Sequence, residues 1–377
     1  MIKRAVSLFF SGNERRREES GRLKIQGDLF LTQDRLLEAA ECYRRALLDD
    51  PHNPATCVGL GFVLVELRQH TEARQHLQHA VLIEPWNADA NYILGVIQLG
   101  DGDISGAAAY FEKACDDNPQ LEHAHRKLID CFLAIGDMER AQAHLEFALT
   151  IFPDHAQLWF DIGNLHANRS NYEQAINCYQ RSVMLAPNTL AAHINLANVL
   201  TDSGQLEAAI EQYRHALSIQ PDSFEAMSGL GLVLGRKKSY ADAIACFARA
   251  AEIQPDDALT QVRLGVTLEA ANSLEASIEC YRKATTFNHY YVLAHQRLGN
   301  ALLAKGFIPD AIASFQTVLV LEPNSPVKHL VNALSGRSSD GPPSAYVEQL
   351  FDEYADKFES HLVEVLKYSV PGLHPLQ

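Results

Sequence analysis

Large apolar, small and aromatic side chains return along this chain at a fixed interval. Leu60, Leu94, Leu128, Ile162, Leu196, Leu230, Leu264 and Leu298 stand 34 residues apart, and a small residue usually follows, as at Gly61, Gly95, Gly163, Ala197, Gly231, Gly265 and Gly299. Twelve residues beyond the small one comes an alanine in most units (Ala39, Ala73, Ala107, Ala141, Ala175, Ala209, Ala243, Ala311). Four further on stands a ring or a leucine: Tyr43, Leu77, Phe111, Leu145, Tyr179, Tyr213, Phe247, Tyr281 or Phe315. Apolar residues keep the helical period within each half of the unit. Turn residues such as Asp101-Gly102-Asp103 or Ser203-Gly204 separate the halves, which predicts two helices per unit.

Prolines punctuate the same rhythm at Pro51, Pro85, Pro119, Pro153, Pro187, Pro221, Pro255 and Pro323, with His289 in the one skipped place. Nine units from Ser20 to Ser325 keep this register, the signature of a stacked helical array. Small residues let two helices approach, and large ones fill the gap between neighbouring pairs. Places within a unit are counted below from 1 at Ser20, Pro54, Ala88 and so on.

The pattern resembles the tetratricopeptide repeat, with Ile129, Ser277 and His289 as departures at a small, an alanine and a proline place. The resemblance implies an all-α solenoid, a right-handed superhelix whose first helices line a concave groove. The flanks read as caps, which a solenoid needs at its ends. Residues 1–19 hold Ala5, Phe9 and Gly12 in the register of half a preceding repeat, and residues 326–336 form one more helix ended by Ser335-Gly336.

Residues 337–345 are turn-rich and read as a linker, and residues 346–377 carry apolar side chains at helical spacing until Pro371. Pro343, Tyr346-Val347, Leu350-Phe351-Asp352, Tyr354-Ala355, Phe358, His361-Leu362-Val363, Leu366, Tyr368 and Pro371 resemble the lead-in to the catalytic domain of bacterial tetratricopeptide-repeat methyltransferases. That resemblance implies an S-adenosylmethionine domain after the lead-in, in which case the array recruits substrate for it. The sequence given holds no strand with an acidic glycine-rich turn, so neither a catalytic nor a cofactor-binding residue is expected in it. If the array is the recruiting part of such an enzyme, an apolar face on Tyr346 to Tyr368 lacks its partner here, which predicts self-association through these C-terminal helices or disorder there.

Charge narrows the choice of partner. With 47 acidic against 32 basic side chains the formal charge is −15, which argues against nucleic acid or an anionic membrane. The longest apolar run, Val58 to Val65, is far short of the roughly 18 residues of a membrane-spanning helix. No signal-peptide pattern follows Met-Ile-Lys-Arg, so a cytoplasmic location is expected. Seven cysteines lack any Cys-x-x-Cys pair; Cys42, Cys178, Cys246 and Cys280 precede an aromatic residue and read as small packing residues in a reducing compartment.

Local motifs add little chemistry. Gly229-Leu-Gly231-Leu-Val-Leu-Gly235 lies inside a predicted helix and reads as packing, not as a phosphate loop. Asp101-Gly-Asp103 lacks the later ligands of a calcium loop and reads as a turn. The sixteen histidines, including His76, His79, His123 and His125, lack metal-site spacing and are expected to be solvated, with no metal site.

The resemblance places residues two, five, six, nine and twelve of each unit on the groove. Phe62, Tyr92 and Val96 then give apolar anchors in the second and third units. Phe160, Asn164, Asn195 and Asn198 offer a ring and carboxamides in the fifth and sixth, and Arg263, Arg297 and Asn300 form a basic patch in the last two. Carboxamides can donate to and accept from an extended backbone, while rings supply anchor area. The expected function is an interaction scaffold for a peptide or protein segment. Place six runs Ile25, Gly59, Ile93, Lys127, Asp161, Asn195, Gly229, Arg263, Arg297, so the asparagine ladder of sugar-transferase relatives is absent. The lysine-and-asparagine clamp of chaperone-tail binders is absent too, with Phe160, Glu225 and Gly229 at three of its places.

Overall fold

The computed structural model describes residues 2–335, with side chains from residue 15 onward; the 337–345 linker, the 346–377 tail and the side chains of Ala5, Phe9 and Gly12 lie outside the described residues. Every described element is a helix, and the chain divides into two compact blocks, up to Leu185 and from Ala186. The first holds α1 (Ile2–Thr32), α2 (Leu36–Asp49), α3 (Pro54–Glu66), α4 (His70–Ile83), α5 (Ala88–Gly100), α6 (Ile104–Asp117), α7 (Glu122–Ile135), α8 (Met138–Ile151), α9 (Ala156–Asn168) and α10 (Tyr172–Leu185). The second holds α11 (Leu190–Asp202), α12 (Leu206–Ile219), α13 (Phe224–Arg236), α14 (Tyr240–Ile253), α15 (Ala258–Ala270), α16 (Leu274–Phe287), α17 (Val292–Ala304), α18 (Ile308–Leu321) and α19 (Val327–Leu334). α1 runs without a turn from Ile2 into the first repeat. No described helix is long and apolar enough to cross a membrane.

Each helix pair closes on its ring. Tyr43, Phe111, Tyr179, Tyr213, Phe247, Tyr281 and Phe315 are buried on the second helices, next to alanines with no exposed surface. The rings lie against glycines: a Cβ on Gly265 would stand 2.5 Å from Tyr281, and one on Gly299 2.5 Å from Phe315. Repeat six has Ala197 instead, and there the room for Tyr213 comes from the next repeat, where a Cβ on Gly229 would meet the ring at 2.5 Å. Gly229 and Gly231 are thus the floors of two rings, Tyr213 and Phe247, while Gly235 faces open space. Ile129, the bulky departure, sits fully buried in the repeat whose ring place holds the smaller Leu145. Ser277, in place of alanine, donates its hydroxyl to the Leu274 carbonyl at 2.8 Å.

The turn within each pair is made the same way nine times. Asp34, Arg68, Gly102, Gly136, Ser170, Gly204, Lys238, Asn272 and Gly306, all at place fifteen, have φ between 58° and 84°. Five of these are not glycine, so the fold imposes the left-handed conformation at a cost that glycine would avoid. Asp103 and Asp137 then cap the second helix, accepting from Gly106 and Arg140 backbone N–H groups at 2.9 and 3.0 Å.

Between pairs, the residue at place four ties the joint in five of the repeats. Asn91, His125, Trp159, His193 and His295 each donate a side-chain N–H to the carbonyl six residues earlier, at 3.1, 3.0, 2.8, 2.9 and 3.0 Å. In four cases that carbonyl belongs to the repeat's proline. In the fifth it belongs to His289, which explains why loss of that proline leaves the register intact. At the far end Val327, Leu330 and Val331 of α19 pack into the cluster that holds Phe315.

Candidate partner-binding face

First helices of successive repeats touch one another: α1 with α3 and α3 with α5 in the first block, and α11 with α13, α13 with α15 and α15 with α17 in the second. Side chains at places five, six and nine therefore form a strip over α1, α3 and α5 in the first block and over α11, α13, α15 and α17 in the second.

In the first block the apolar anchors differ in depth. Phe62 on α3 is 39 % exposed, whereas Tyr92 and Val96 on α5 are half-buried against the core. Tyr92 is edge-on to His123 at 4.4 Å and tilted on Phe111 at 5.6 Å, so its ring is already held. Phe160 and Asn164 on α9 converge on one partner: the Phe160 ring is 5.7 Å from that of Tyr179, whose hydroxyl donates to Asn164 Oδ1 at 2.7 Å. Asp161, between them, accepts from Gln157 Nε2 at 2.8 Å, yet burial holds its carboxyl above the ordinary range.

The second block repeats the motif. Tyr213 donates its hydroxyl to Asn198 Oδ1 at 2.6 Å, and desolvation pushes that phenol up to about 12. Tyr43 donates likewise to Asp28 Oδ1 at 2.7 Å in the first repeat. Asn164 and Asn198, both at place nine, therefore have a structural partner below, which fixes the carbonyl inward. The amide N–H groups of Asn198 meet no other described residue, so its carboxamide faces the strip as a donor. Asn195, half-buried on α11, precedes it by three residues on the same helix.

The basic patch has a different character. Arg263 on α15 is half-buried and donates through Nη1 to Ser228 Oγ at 2.9 Å. Arg297 holds the same place on α17, half-buried, and makes no hydrogen bond or ion pair with any described residue; Asn300 and Gln296 beside it are also unpartnered. Several arginines on the second helices are instead paired: Arg44, Arg181 and Arg249 meet Glu72, Asp154 and Asp222 at 3.0, 2.9 and 2.6 Å.

Two groups of histidines depart from the expectation of solvated side chains. His125 and His193 are buried because place four lies inside the joint between repeats. His125 also meets His144, Nδ1 to Nε2 at 2.9 Å, and Cys115 completes a trio whose donor atoms lie within 4.8 Å of one another. The trio comes from α6, α7 and α8, so no local spacing announces it. The seven cysteines are free thiols, six of them buried.

Helix pairs of 34 residues, closed by a ring over a small residue and presenting a strip of first-helix side chains, define a repeat array of the interaction-scaffold class. Sequence models described as tetratricopeptide repeat match residues 30–97, 98–159, 156–189 and 228–290, and one described as TPR repeat matches 197–238. The chain belongs to the tetratricopeptide repeat family. It is similar to the tetratricopeptide repeat-containing protein trd-1 of Caenorhabditis elegans, 32 % identical over 96 residues, covering 25 % of this chain and 12 % of that protein. It is also similar to the probable UDP-N-acetylglucosamine–peptide N-acetylglucosaminyltransferase SPINDLY of Hordeum vulgare, 26 % identical over 167 residues, covering 42 % and 18 %. Both matches thus span less than a fifth of the relative's own length. Among solved structures, YrrB, a TPR protein with an unusual peptide-binding site, aligns with 50 % of this chain and 96 % of its own at 22 % identity and a TM-score of 0.46.

Proposed function

We propose that the array binds an extended protein segment along its first-helix strips, with a carboxylate of that segment seated at Arg297. The observation that carries this reading is half-buried Arg297, which has no partner among the described residues, beside Gln296 and Asn300, which have none there either, in a chain of formal charge −15. A guanidinium takes a carboxylate through two parallel N–H groups, and Asn300 can donate to and accept from the neighbouring peptide backbone. Arg263, at the same place one repeat earlier, keeps part of its donor fork available for the same segment. In the other strips Phe62 supplies exposed apolar area, and Asn195 and Asn198 supply carboxamides.

The test is a peptide-array screen with the wild-type chain, followed by dissociation constants for the best binder. Arg297→Ala weakens that binder about ten- to hundredfold, as loss of a charge-assisted pair does. Asn195→Ala weakens partners held on α11 and leaves the helical signal unchanged. An affinity untouched by Arg297→Ala sinks the assignment.

A second reading rests on the resemblance of residues 346–371, which lie outside the described residues: the array recruits substrate for an S-adenosylmethionine-dependent methyltransferase. This reading expects the cofactor to be held by a strand and glycine turn of a catalytic domain and not by the repeat helices. Cofactor binding by the protein at its native length tests this reading, and absence of saturable binding ends it.

A further inference from the structure

We propose that Cys115, His125 and His144 form a binding site for a thiophilic metal ion, Zn(II) or Cu(I). One donor atom from each lies within 4.8 Å of the other two, on three helices of the first block. Cys115 and His125 are buried, His144 is half-buried, and the rings of Phe132, Phe147 and Phe152 wall the histidine pair. Thiolate with imidazole is the donor set that selects these two ions.

The hydrogen bonds settle which atoms face inward. His125 Nε2 lies 3.0 Å from the Pro119 carbonyl, which can only accept, so Nε2 carries the proton and Nδ1 presents a lone pair. Metal-bound histidines are held in just this way, by a carbonyl on the far ring nitrogen. His144 Nε2 is 2.9 Å from that lone pair. Without an ion it must donate a proton there; with one, the proton moves to Nδ1 and both rings stay neutral. The thiol is the group that changes charge. A cysteine thiol keeps its proton at neutral pH unless a cation is beside it, so the ion itself has to displace that proton. Binding forms one sulfur–metal and two nitrogen–metal bonds and releases one proton. Donors about 2.0–2.3 Å from an ion stand roughly 3.3–3.8 Å apart, so the histidine pair opens by a few tenths of an ångström. Cu(I) completes a neutral three-ligand site, whereas Zn(II) takes a solvent oxygen on the His144 side as a fourth ligand.

Repeat six supplies a control. His193 occupies the place of His125 there, and Gln212 occupies the place of His144, with Nδ1 and Oε1 2.9 Å apart. A glutamine at 144 therefore suits the fold while removing a ligand. The exposed His52–His79 pair, 3.3 Å apart, is the competing place for casual ion capture.

The reduced, demetallated full-length chain is titrated anaerobically with Zn(II), with Co(II) as its coloured surrogate, and with Cu(I) against a chromophoric chelator. One ion per chain, one proton released and a thiolate-to-cobalt band are expected from the zinc arm; one tightly held ion is expected from the copper arm if Cu(I) is the natural occupant. His144→Gln and Cys115→Ser weaken binding about a hundredfold or more with unchanged helical circular dichroism, and His79→Ala has no effect. Failure of the wild type to hold either ion at micromolar concentration overturns the proposal. So does binding that survives His144→Gln or disappears with His79→Ala.

Discussion

Asp161 sits on the partner-facing strip with its charge half withdrawn from water, and that has a thermodynamic sign. Its carboxyl is raised by desolvation in the folded state, so the folded chain holds a proton more tightly than the unfolded one. The stability this contributes is present below the ordinary carboxylate pKa and is lost as pH rises through the folded value. At neutral pH the charged form is therefore a burden. Asp161→Asn should raise the thermal midpoint at pH 7, and the gain should shrink on titration toward pH 4; a pair of melting curves at each pH checks this. The place-nine asparagines show why the strip was only partly legible from sequence. Three of the four tyrosines at place 24 meet a polar residue at place nine, as with Asp28 and Tyr43, Asn164 and Tyr179, and Asn198 and Tyr213, whereas Tyr281 has Val266 there and donates to Glu269. Reading the strip alone gave Asn164 and Asn198 to a peptide, although half of each carboxamide serves the core beneath it.

Helices here are set by two conditions that act at different places in the repeat, and substitutions can separate them. The ring needs an empty floor: Gly265→Ala brings a Cβ to 2.5 Å from Tyr281 and should cost about 1–3 kcal/mol. Gly235→Ala, with nothing within 4 Å, should be neutral or gain up to about 1 kcal/mol from helix propensity. The turn needs a left-handed residue: Lys238, at φ 62°, should be replaced by glycine with a gain of about 0.5–1 kcal/mol. Urea unfolding of the three variants ranks them. Helix pairing, the alanines and the rings were all legible because they repeat in residue type. Place four was not, since Asn91, His125, Trp159, His193 and His295 share an N–H donor and nothing else. Lys238 was hidden for the opposite reason, since a lysine gives no sign that the backbone around it is left-handed.

Within each block, the described helices pack on their neighbours in sequence and, more lightly, on the matching helix of the next repeat. Such arrays have stability close to a sum over repeats and their joints. Phe315→Ala removes a fully buried ring and should cost about 3–5 kcal/mol. Its effect should stay local: amide exchange in α17–α19 accelerates while α11–α14 keep their protection, as hydrogen-exchange mass spectrometry would show. The repeat-to-repeat ion pairs are exposed and contribute little each, so 0.5 M salt should move the melting midpoint by only a few degrees.

The tether at place four also bears on how the chain would carry tension. A pull along the array loads the short segments between repeats first, and five of these joints are latched by a side-chain N–H on a carbonyl six residues back. Cys57 and Met227 stand at the same place and carry no such donor, and Gln261 there makes no such bond. Under force these three joints yield before their latched neighbours, so the array would lengthen in discrete steps that begin beside α3, α13 and α15.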